Sequence, residues 1–138
     1  MRTAGELMTT MRERGLRVTP QRLCIVDLLV ANASHPTVET LYEASRERMP
    51  AISLKTVYQT VHDLEALGEV RLLDLGTGQV RVDPNVEHSH HHLVCNACGR
   101  VCDVPVELPD LTLARRHRLG FAIDEVDVIF RGTCETCR

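Results

Sequence analysis

Aromatic side chains are scarce in this chain, whose 138 residues include two Tyr, two Phe and no Trp. Any hydrophobic core must therefore be built from aliphatic side chains. Long apolar runs are missing too, and none approaches the roughly 18 residues that a transmembrane helix needs, so we expect no membrane partner. The first fifteen residues, MRTAGELMTTMRERG, lack the apolar segment of a secretory signal. We therefore expect a cytoplasmic protein of one ordinary domain or two small ones.

A large positive charge is also missing, since the formal net charge is −3. The distribution of charge is uneven. Residues 1–23 carry five Arg against two Glu (5 − 2 = +3), whereas residues 85–138 carry six Arg against eight acids (6 − 8 = −2). A locally basic segment on an acidic chain is compatible with DNA binding. The alternative is a solvated charged surface with no partner.

Four of the six cysteines form two CxxC pairs, Cys95/Cys98 and Cys134/Cys137, separated by 35 residues. This spacing is typical of zinc sites. Two residues between cysteines let both sulfurs reach one ion, and four thiolates complete a tetrahedral Zn²⁺ site with no open position. Two disulfides in a secreted protein are the alternative, which the lack of a signal segment disfavours because cytosolic thiols stay reduced. We predict a structural zinc that stabilises the fold.

Four histidines precede the first CxxC pair, at positions 88, 90, 91 and 92. If HHHLVC is a strand, His90 and His92 point to one face of the sheet and His91 points to the other. Two imidazoles on one face, with carboxylates nearby, would form a second metal site with harder ligands. The alternative is a solvated histidine-rich loop.

Capping residues and apolar periodicity predict four helices in the N-terminal half. The first covers residues 4–15, and the second begins at Thr19-Pro20, a cap followed by the residue type favoured at the first helical position. The third lies in HPTVETLYEASRERM, and the fourth runs from a cap at Ser53 to a stop at Gly68. The alternating segment VRLLDLGTGQVRVD then predicts a β-hairpin. This order is typical of a winged helix-turn-helix, whose last helix enters the major groove of DNA.

The polar face of the fourth helix predicts DNA contacts. Lys55 could reach phosphate or a guanine edge and Gln59 an adenine edge, whereas Thr56 and Tyr58 could bond phosphate. The basic N-terminal segment adds further candidates. The predicted DNA contacts are Arg17, Gln21, Arg22, Lys55, Thr56, Tyr58 and Gln59. The alternative is an ordinary amphipathic helix in a protein–protein interaction module.

Asp83-Pro84 marks a turn, and we place there the boundary between a domain over residues 1–83 and a second over residues 84–138. In the second domain, HHLVCNACGRVCDVPV predicts a strand, a zinc turn and a strand. DLTLARRHRLG predicts a short helix and FAIDEVDVIFRGTC a further strand. The predicted fold class is α+β, an N-terminal winged helix-turn-helix domain followed by a small α/β dimerisation domain. Open sheet edges invite a second copy, so we expect a homodimer.

Four segments, HPTVETLY, SLKTVYQTVHDLEALGEV, HHHLVCNACGRVCDV and GTCETC, resemble the ferric uptake regulator (Fur) family of bacterial metal-dependent repressors. They occur in order and at the expected spacings over almost the whole chain. The resemblance implies a repressor and not an enzyme, acting as a homodimer on a double-stranded DNA operator. It also implies a structural Zn²⁺ on the four CxxC cysteines and a regulatory Fe²⁺ or Mn²⁺ between the domains.

The resemblance implies five regulatory ligands: His35 in the HPT motif, Asp83 at the hinge, His90 and His92 in the HxH motif, and Asp103. Three imidazoles and two carboxylates suit Fe²⁺ or Mn²⁺. An Asp at the last position resembles the peroxide-sensing branch, in which iron-catalysed oxidation of a ligand histidine ends repression. The alternative within the family is an iron-, zinc- or nickel-responsive repressor of metal uptake.

A third metal site of the family would involve Ser89, His91, an acid such as Glu107 or Asp110, and a last-strand histidine. Val126 occupies the position of that histidine, so we do not expect the third site to form. Two rival classes are a metalloenzyme and a zinc-stabilised interaction module without sensing. The donors could activate water, but no HExxH or HxE…PCxxC pattern is present.

Overall fold

A computed structural model describes residues 2–88, 90–106, 109, 111–124 and 126–138. The chain divides into two compact units, Met1–His88 and Ser89–Arg138. Helices dominate the first and a small sheet the second, so the predicted α+β class is confirmed. The domain boundary expected after Asp83 stays a prediction. None of the helices in the described part of the chain is long and apolar enough to cross a membrane.

The first unit contains four helices, each begun by a hydroxyl side chain. They are α1 (Ala4–Glu13), α2 (Pro20–Leu29), α3 (Val38–Arg48) and α4 (Leu54–Ala66). The N-cap oxygens of Thr3, Thr19, Thr37 and Ser53 each accept the backbone N–H three residues later, which satisfies a donor that the helix itself leaves unpaired. The sequence predicted the caps of α2 and α4. It missed the capping box of Thr3 and Glu6 that begins α1.

An aliphatic core holds these helices together, as the scarcity of aromatic residues requires. The fully buried members with the largest side chains include Leu7, Met11, Ile25, Leu29, Leu41 and Leu64. Val57 and Val61 bring the apolar stripe of α4 into the same cluster. The opposite face of α4 consequently stays at the surface with its polar side chains.

A two-stranded wing follows α4. Strands β1 (Arg71–Leu73) and β2 (Arg81–Asp83) pair antiparallel, with Leu72 opposite Val82. The segment before α3 adds a partner to β2, because Thr37 bridges Arg81 and the N–H of Val82 donates to the carbonyl of Pro36 at 2.9 Å. The unit is the predicted winged helix-turn-helix, and the residues just before α3 are fixed beside the end of β2.

The second unit is built on a three-stranded sheet. Strand β3 (His91–Cys95) lies between β4 (Val101–Val104), which is antiparallel to it, and β5 (Ile129–Gly132), which is parallel to it. The turn from β3 to β4 includes Gly99 at φ +72°, a backbone conformation that glycine adopts at no steric cost. The predicted strand, turn and strand over this segment are confirmed.

Two predictions for the second unit are wrong. The helix expected over DLTLARRHRLG is reduced, among its described residues, to a 3₁₀ turn at Arg115–His117, and the strand expected over FAIDEVDVIFRGTC is reduced to β5. The reason is the lack of a packing partner. The side chains of Leu119 and Phe121 are 83% and 71% exposed, and a short helix or strand gains most of its stability from burying an apolar face.

Candidate metal centres

The four CxxC cysteines converge at one end of the sheet of the second unit. The parallel register sets Cys95 opposite Gly132, so the chain leaves β5 beside the turn that follows β3. The N–H of Asn96 donates to the carbonyl of Gly132 at 2.8 Å and fixes the two segments together. The Sγ atoms of Cys95, Cys98, Cys134 and Cys137 all lie within 4.8 Å of one another.

The sulfur geometry fits tetrahedral zinc. The Sγ atoms of Cys98 and Cys134 are 3.8 Å apart, and two ligands of a tetrahedral ion with bonds of about 2.3 Å are separated by about 3.8 Å. A disulfide requires about 2.05 Å, and all six cysteines are free thiols. The donor set is therefore that of a structural Zn²⁺ site rather than of two disulfides.

Hydrogen bonds within the cluster favour the thiolate of Cys95. The backbone N–H of Cys134 donates to Cys95 Sγ at 3.3 Å, and this bond, with further backbone donors of the turn, lowers the pKa of Cys95 to about 6. Hydrogen bonding to Cys134 and Cys98 instead raises the pKa of Cys137. Metal binding requires every thiol to lose its proton, so the cluster begins with one sulfur already biased toward the metal-binding form.

His35 and Asp83 meet in the first unit. Both side chains are fully buried, and His35 Nε2 lies 3.6 Å from Asp83 Oδ1. The pairing of the pre-α3 segment with β2 brings them together, and Arg81 Nη1 donates to the carbonyl of His35 at 3.3 Å. The N–H of Asn85 donates to Asp83 Oδ1 at 2.8 Å and helps orient the carboxylate.

The backbone of His35 is in the left-handed region, at φ +48°. Residues with a Cβ rarely occupy this region, and those that do are concentrated at functional sites. A buried imidazole in this sparsely populated conformation is therefore a candidate functional residue.

His90, His92 and Asp103 meet in the second unit. His92 lies opposite Asp103 in the β3–β4 register. His90 Nε2 is 3.2 Å from His92 Nε2 and 3.6 Å from Asp103 Oδ1. The exposed fractions of His90 and His92 are 9% and 5%. The predicted alternation is therefore confirmed for these two histidines, which do not belong to a solvated loop.

The separations in the second unit fit a metal ion bound by both histidines. Two imidazole nitrogens at about 2.0–2.1 Å from one ion lie roughly 3–3.4 Å apart, and the observed Nε2–Nε2 distance is 3.2 Å. A carboxylate oxygen beside them adds a harder donor. The first unit offers a similar pair of donors, the imidazole of His35 and the carboxylate of Asp83.

Several predicted DNA contacts on α4 are engaged by neighbouring side chains. The Tyr58 hydroxyl donates to Glu39 Oε1 at 2.7 Å, which raises the pKa of Tyr58 and lowers that of Glu39. Gln59 Nε2 donates to Asp63 Oδ1 at 2.9 Å. The Thr56 hydroxyl contacts that of Ser53. The sequence analysis did not predict Glu39 and Asp63 as hydrogen-bond partners of these side chains, although Gln59 and Asp63 lie at the i, i+4 spacing of helical neighbours.

The other predicted DNA contacts differ in exposure. Lys55 and Arg17 are exposed, and Gln21 is half-buried. Arg22 forms an ion pair with Asp63, with Nη2 and Oδ2 2.5 Å apart. All seven DNA contacts stay predictions.

The remaining predicted ligands and cysteines can be placed in part. Ser89, Glu107 and Asp110 of the third family site lie outside the described residues. Val126 is exposed, and His91 is half-buried on the other face of β3 from His92. Cys24 is buried in the first unit, and Cys102 is half-buried on β4.

Known proteins resemble this chain over nearly its whole length. The chain matches the model of the ferric uptake regulator family over residues 13–131. The peroxide-responsive repressor PerR of Staphylococcus epidermidis is 31% identical over 134 residues, or 96% of this chain and 89% of that protein. A zinc-bound manganese uptake regulator is 33% identical with a TM-score of 0.73, over 96% of this chain and 99% of its own. The structure of the Helicobacter pylori ferric uptake regulator matches with a TM-score of 0.75 over 99% of this chain and 94% of that protein's chain. Because the sequences are 19% identical, this match shows a similar fold only.

Proposed function

Because this chain belongs to the ferric uptake regulator family of metal-responsive transcriptional regulators, which are not enzymes, we propose that it is a metal-dependent repressor that binds DNA and senses hydrogen peroxide. The observation that carries the proposal is the presence of two imidazole–carboxylate sets with buried imidazoles, one set in each unit. Its relatives include a peroxide-responsive repressor at 31% identity.

The regulatory ion would be held by five side chains: His35, Asp83, His90, His92 and Asp103. The two donors of the first unit are too few to complete a coordination shell, and so are the three of the second. Together they would supply five ligands to Fe²⁺ or Mn²⁺. The ion would then tie the DNA-binding unit to the second unit in one relative orientation.

The cysteine cluster would hold a structural Zn²⁺ with all four sulfurs. Its donors come from one unit, so this ion would stabilise that unit and leave the orientation of the first unit free. A thiolate site of this kind needs reduced cysteines, which supports a cytoplasmic location.

The DNA-binding form would be a homodimer. Large apolar side chains of the second unit, among them Leu119 and Phe121, are exposed in the single chain, and a second copy would cover them. Two α4 helices related by the twofold axis would enter successive major grooves of a symmetric operator. Metal and DNA would both favour that arrangement, so each would raise the affinity of the protein for the other.

Peroxide sensing would depend on which ion is bound. Bound Fe²⁺ would supply the redox chemistry by which hydrogen peroxide oxidises a neighbouring imidazole, and Mn²⁺ would not. One hydrogen peroxide would transfer one oxygen atom to His35 or His90, giving 2-oxo-histidine and water, and that side chain would become a poorer ligand. The first unit would then lose its tie to the second, and repression would end.

A repressor of metal uptake is the second candidate. The observation in its favour is the zinc-bound manganese uptake regulator at 33% identity and a TM-score of 0.73. Iron, zinc or nickel would be alternative effectors at the same five ligands. In this case binding of the cognate ion would control the operator, and peroxide would have no separate effect.

Operator binding under anaerobic conditions separates the two candidates. A gel-shift series with Fe²⁺, Mn²⁺, Ni²⁺ and Zn²⁺ would be followed by addition of hydrogen peroxide and by mass spectrometry. A peroxide sensor releases DNA irreversibly in its Fe²⁺ form, gains one oxygen atom on His35 or His90, and keeps DNA in its Mn²⁺ form. An uptake repressor binds with one metal and ignores peroxide until the structural zinc is lost.

A further inference from the structure

Asp63 on α4 accepts hydrogen bonds from two side chains at once. Its Oδ1 accepts from Nε2 of Gln59 at 2.9 Å, and its Oδ2 accepts from Nη2 of Arg22 on α2 at 2.5 Å. The side chains of Arg22 and Asp63 are only 16% and 15% exposed, whereas Gln59 is exposed. A series of hydrogen bonds therefore connects the partly buried Arg22 on α2 to the exposed Gln59 in the middle of α4.

This chain of bonds fixes which way the Gln59 amide faces. A glutamine amide carries an acceptor oxygen and a donor nitrogen of nearly the same shape, so an unrestrained glutamine can present either to a ligand. The Asp63 carboxylate, paired with the Arg22 guanidinium, only accepts hydrogen bonds. Nε2 must consequently face Asp63 with one of its N–H groups. Oε1 and the second N–H stay available at the surface of the helix.

An acceptor beside a donor matches one base in the major groove. Adenine offers the N6 amino donor next to the N7 acceptor, whereas guanine offers two acceptors there. A glutamine of fixed polarity satisfies both atoms of adenine, while on guanine its oxygen would face another acceptor. A glutamine that can rotate freely discriminates less, because it can turn its nitrogen toward a guanine acceptor.

We propose that Asp63 is a positioning residue that makes Gln59 selective for adenine at one base pair of each half-site. The inference rests on the proposed function, in which α4 enters the major groove. It also assigns Arg22 to bracing Asp63 rather than to contacting phosphate. The burial of Arg22 Nη1, which has no hydrogen-bond partner among the described residues, supports this assignment because that atom cannot reach DNA.

The test measures base preference rather than affinity alone. The metal-loaded wild-type protein first selects an operator from randomised duplexes, and each operator position is then varied through all four bases. We expect Gln59→Ala to abolish a preference for adenine of about tenfold at one base pair per half-site. Asp63→Asn should reduce the preference at that same base pair to about threefold or less, with the other positions unchanged.

Glu65→Gln is the matched control. It removes the same charge from α4, but Glu65 pairs with His62, at 3.4 Å, instead of with Gln59. Losing an acid near DNA raises affinity for every sequence, so this variant should bind all duplexes somewhat more tightly and keep the wild-type base preference.

A second variant guards against misfolding. Asp63→Asn leaves the Arg22 charge without its carboxylate, so thermal unfolding is measured alongside. If that variant does not fold, the double variant Arg22→Met/Asp63→Asn removes the charge as well and still frees Gln59, and it should show the same relaxed preference.

Two results would overturn the inference while leaving the proposed function intact. One is that a folded Asp63→Asn protein, or the double variant, keeps the full wild-type preference for adenine at the base pair where Gln59→Ala abolishes that preference. The other is a Gln59→Ala protein whose base preference is unchanged everywhere. If the wild-type protein shows no metal-dependent binding to any selected duplex, the proposed function fails and the inference fails with it.

Discussion

The cysteine cluster and the histidine–carboxylate sets differ in where their donors come from. All four sulfurs belong to the second unit and already lie within 4.8 Å of one another. The other donors are divided, with His35 and Asp83 in the first unit and His90, His92 and Asp103 in the second. A site contained in one unit stabilises that unit, whereas the regulatory site that we propose would take ligands from both units and would report on the concentration of its ion.

Removing a ligand of the cysteine cluster should have the largest effect. Cys95→Ser takes away a buried sulfur at the end of β3, and structural zinc sites contribute on the order of 10 kcal/mol to folding. We expect loss of zinc, loss of the second unit's structure and loss of dimerisation, measured by metal analysis, near-ultraviolet spectroscopy and sedimentation. Cys102→Ser, on β4 outside the quartet, is the control. A folded, dimeric Cys95→Ser protein would contradict the structural role.

Removing a ligand of the proposed regulatory site should leave the fold intact and abolish the effect of metal on operator binding. The His35→Ala protein should retain one zinc per chain and remain a dimer. It should bind the operator no better with Fe²⁺ or Mn²⁺ than without, so that it loses the increase in operator affinity, about tenfold, that metal gives the wild-type protein. Because His35 has φ +48°, His35→Asn is a useful companion, since asparagine tolerates that conformation. His117→Ala, at an exposed histidine, is the control. A normal metal response in both His35 variants would contradict the proposed ligand set.

The smallest effect concerns stability in the first unit alone. Ser53→Ala removes the side-chain oxygen that accepts the N–H of Thr56 at the start of α4 and should cost about 1 kcal/mol. For a unit of this size, calorimetry should show a Tm about 4–8 °C lower than that of the wild-type protein. The zinc content should be unchanged. Thr9→Ala, which removes a hydroxyl from the interior of α1, should be close to neutral. A loss of zinc in Ser53→Ala would mean that the two units do not fold independently.

Local chemistry made much of the fold predictable from the sequence. Caps such as Thr19 and Ser53 act within a few residues, and the alternation that buries His90 and His92 has a period of two. Each CxxC pair likewise places two sulfurs within reach of one ion through local spacing alone. Such features do not depend on the rest of the chain, which is why sequence reasoning found them.

Features that depend on partners were harder to predict. The apolar pattern at residues 110–134 predicted a helix and a strand, but side chains such as Phe121 are largely exposed in the part of the chain that the structure describes. The bonds from Tyr58 to Glu39 and from Gln59 to Asp63 depend on rotamers and on helix packing. The left-handed backbone of His35 is a property of one residue, and no pattern in the sequence indicated it.

The parallel pairing of β3 with β5 has a consequence for folding kinetics. The strands are joined by residues 96–128, whereas each helix of the first unit closes its hydrogen bonds within four residues. Contacts between distant residues form slowly because the connecting chain must first lose its conformational freedom. Refolding should therefore have a fast phase from the helical unit and a slower phase from the sheet. Zinc would accelerate the slower phase by joining the two ends of that long connection early.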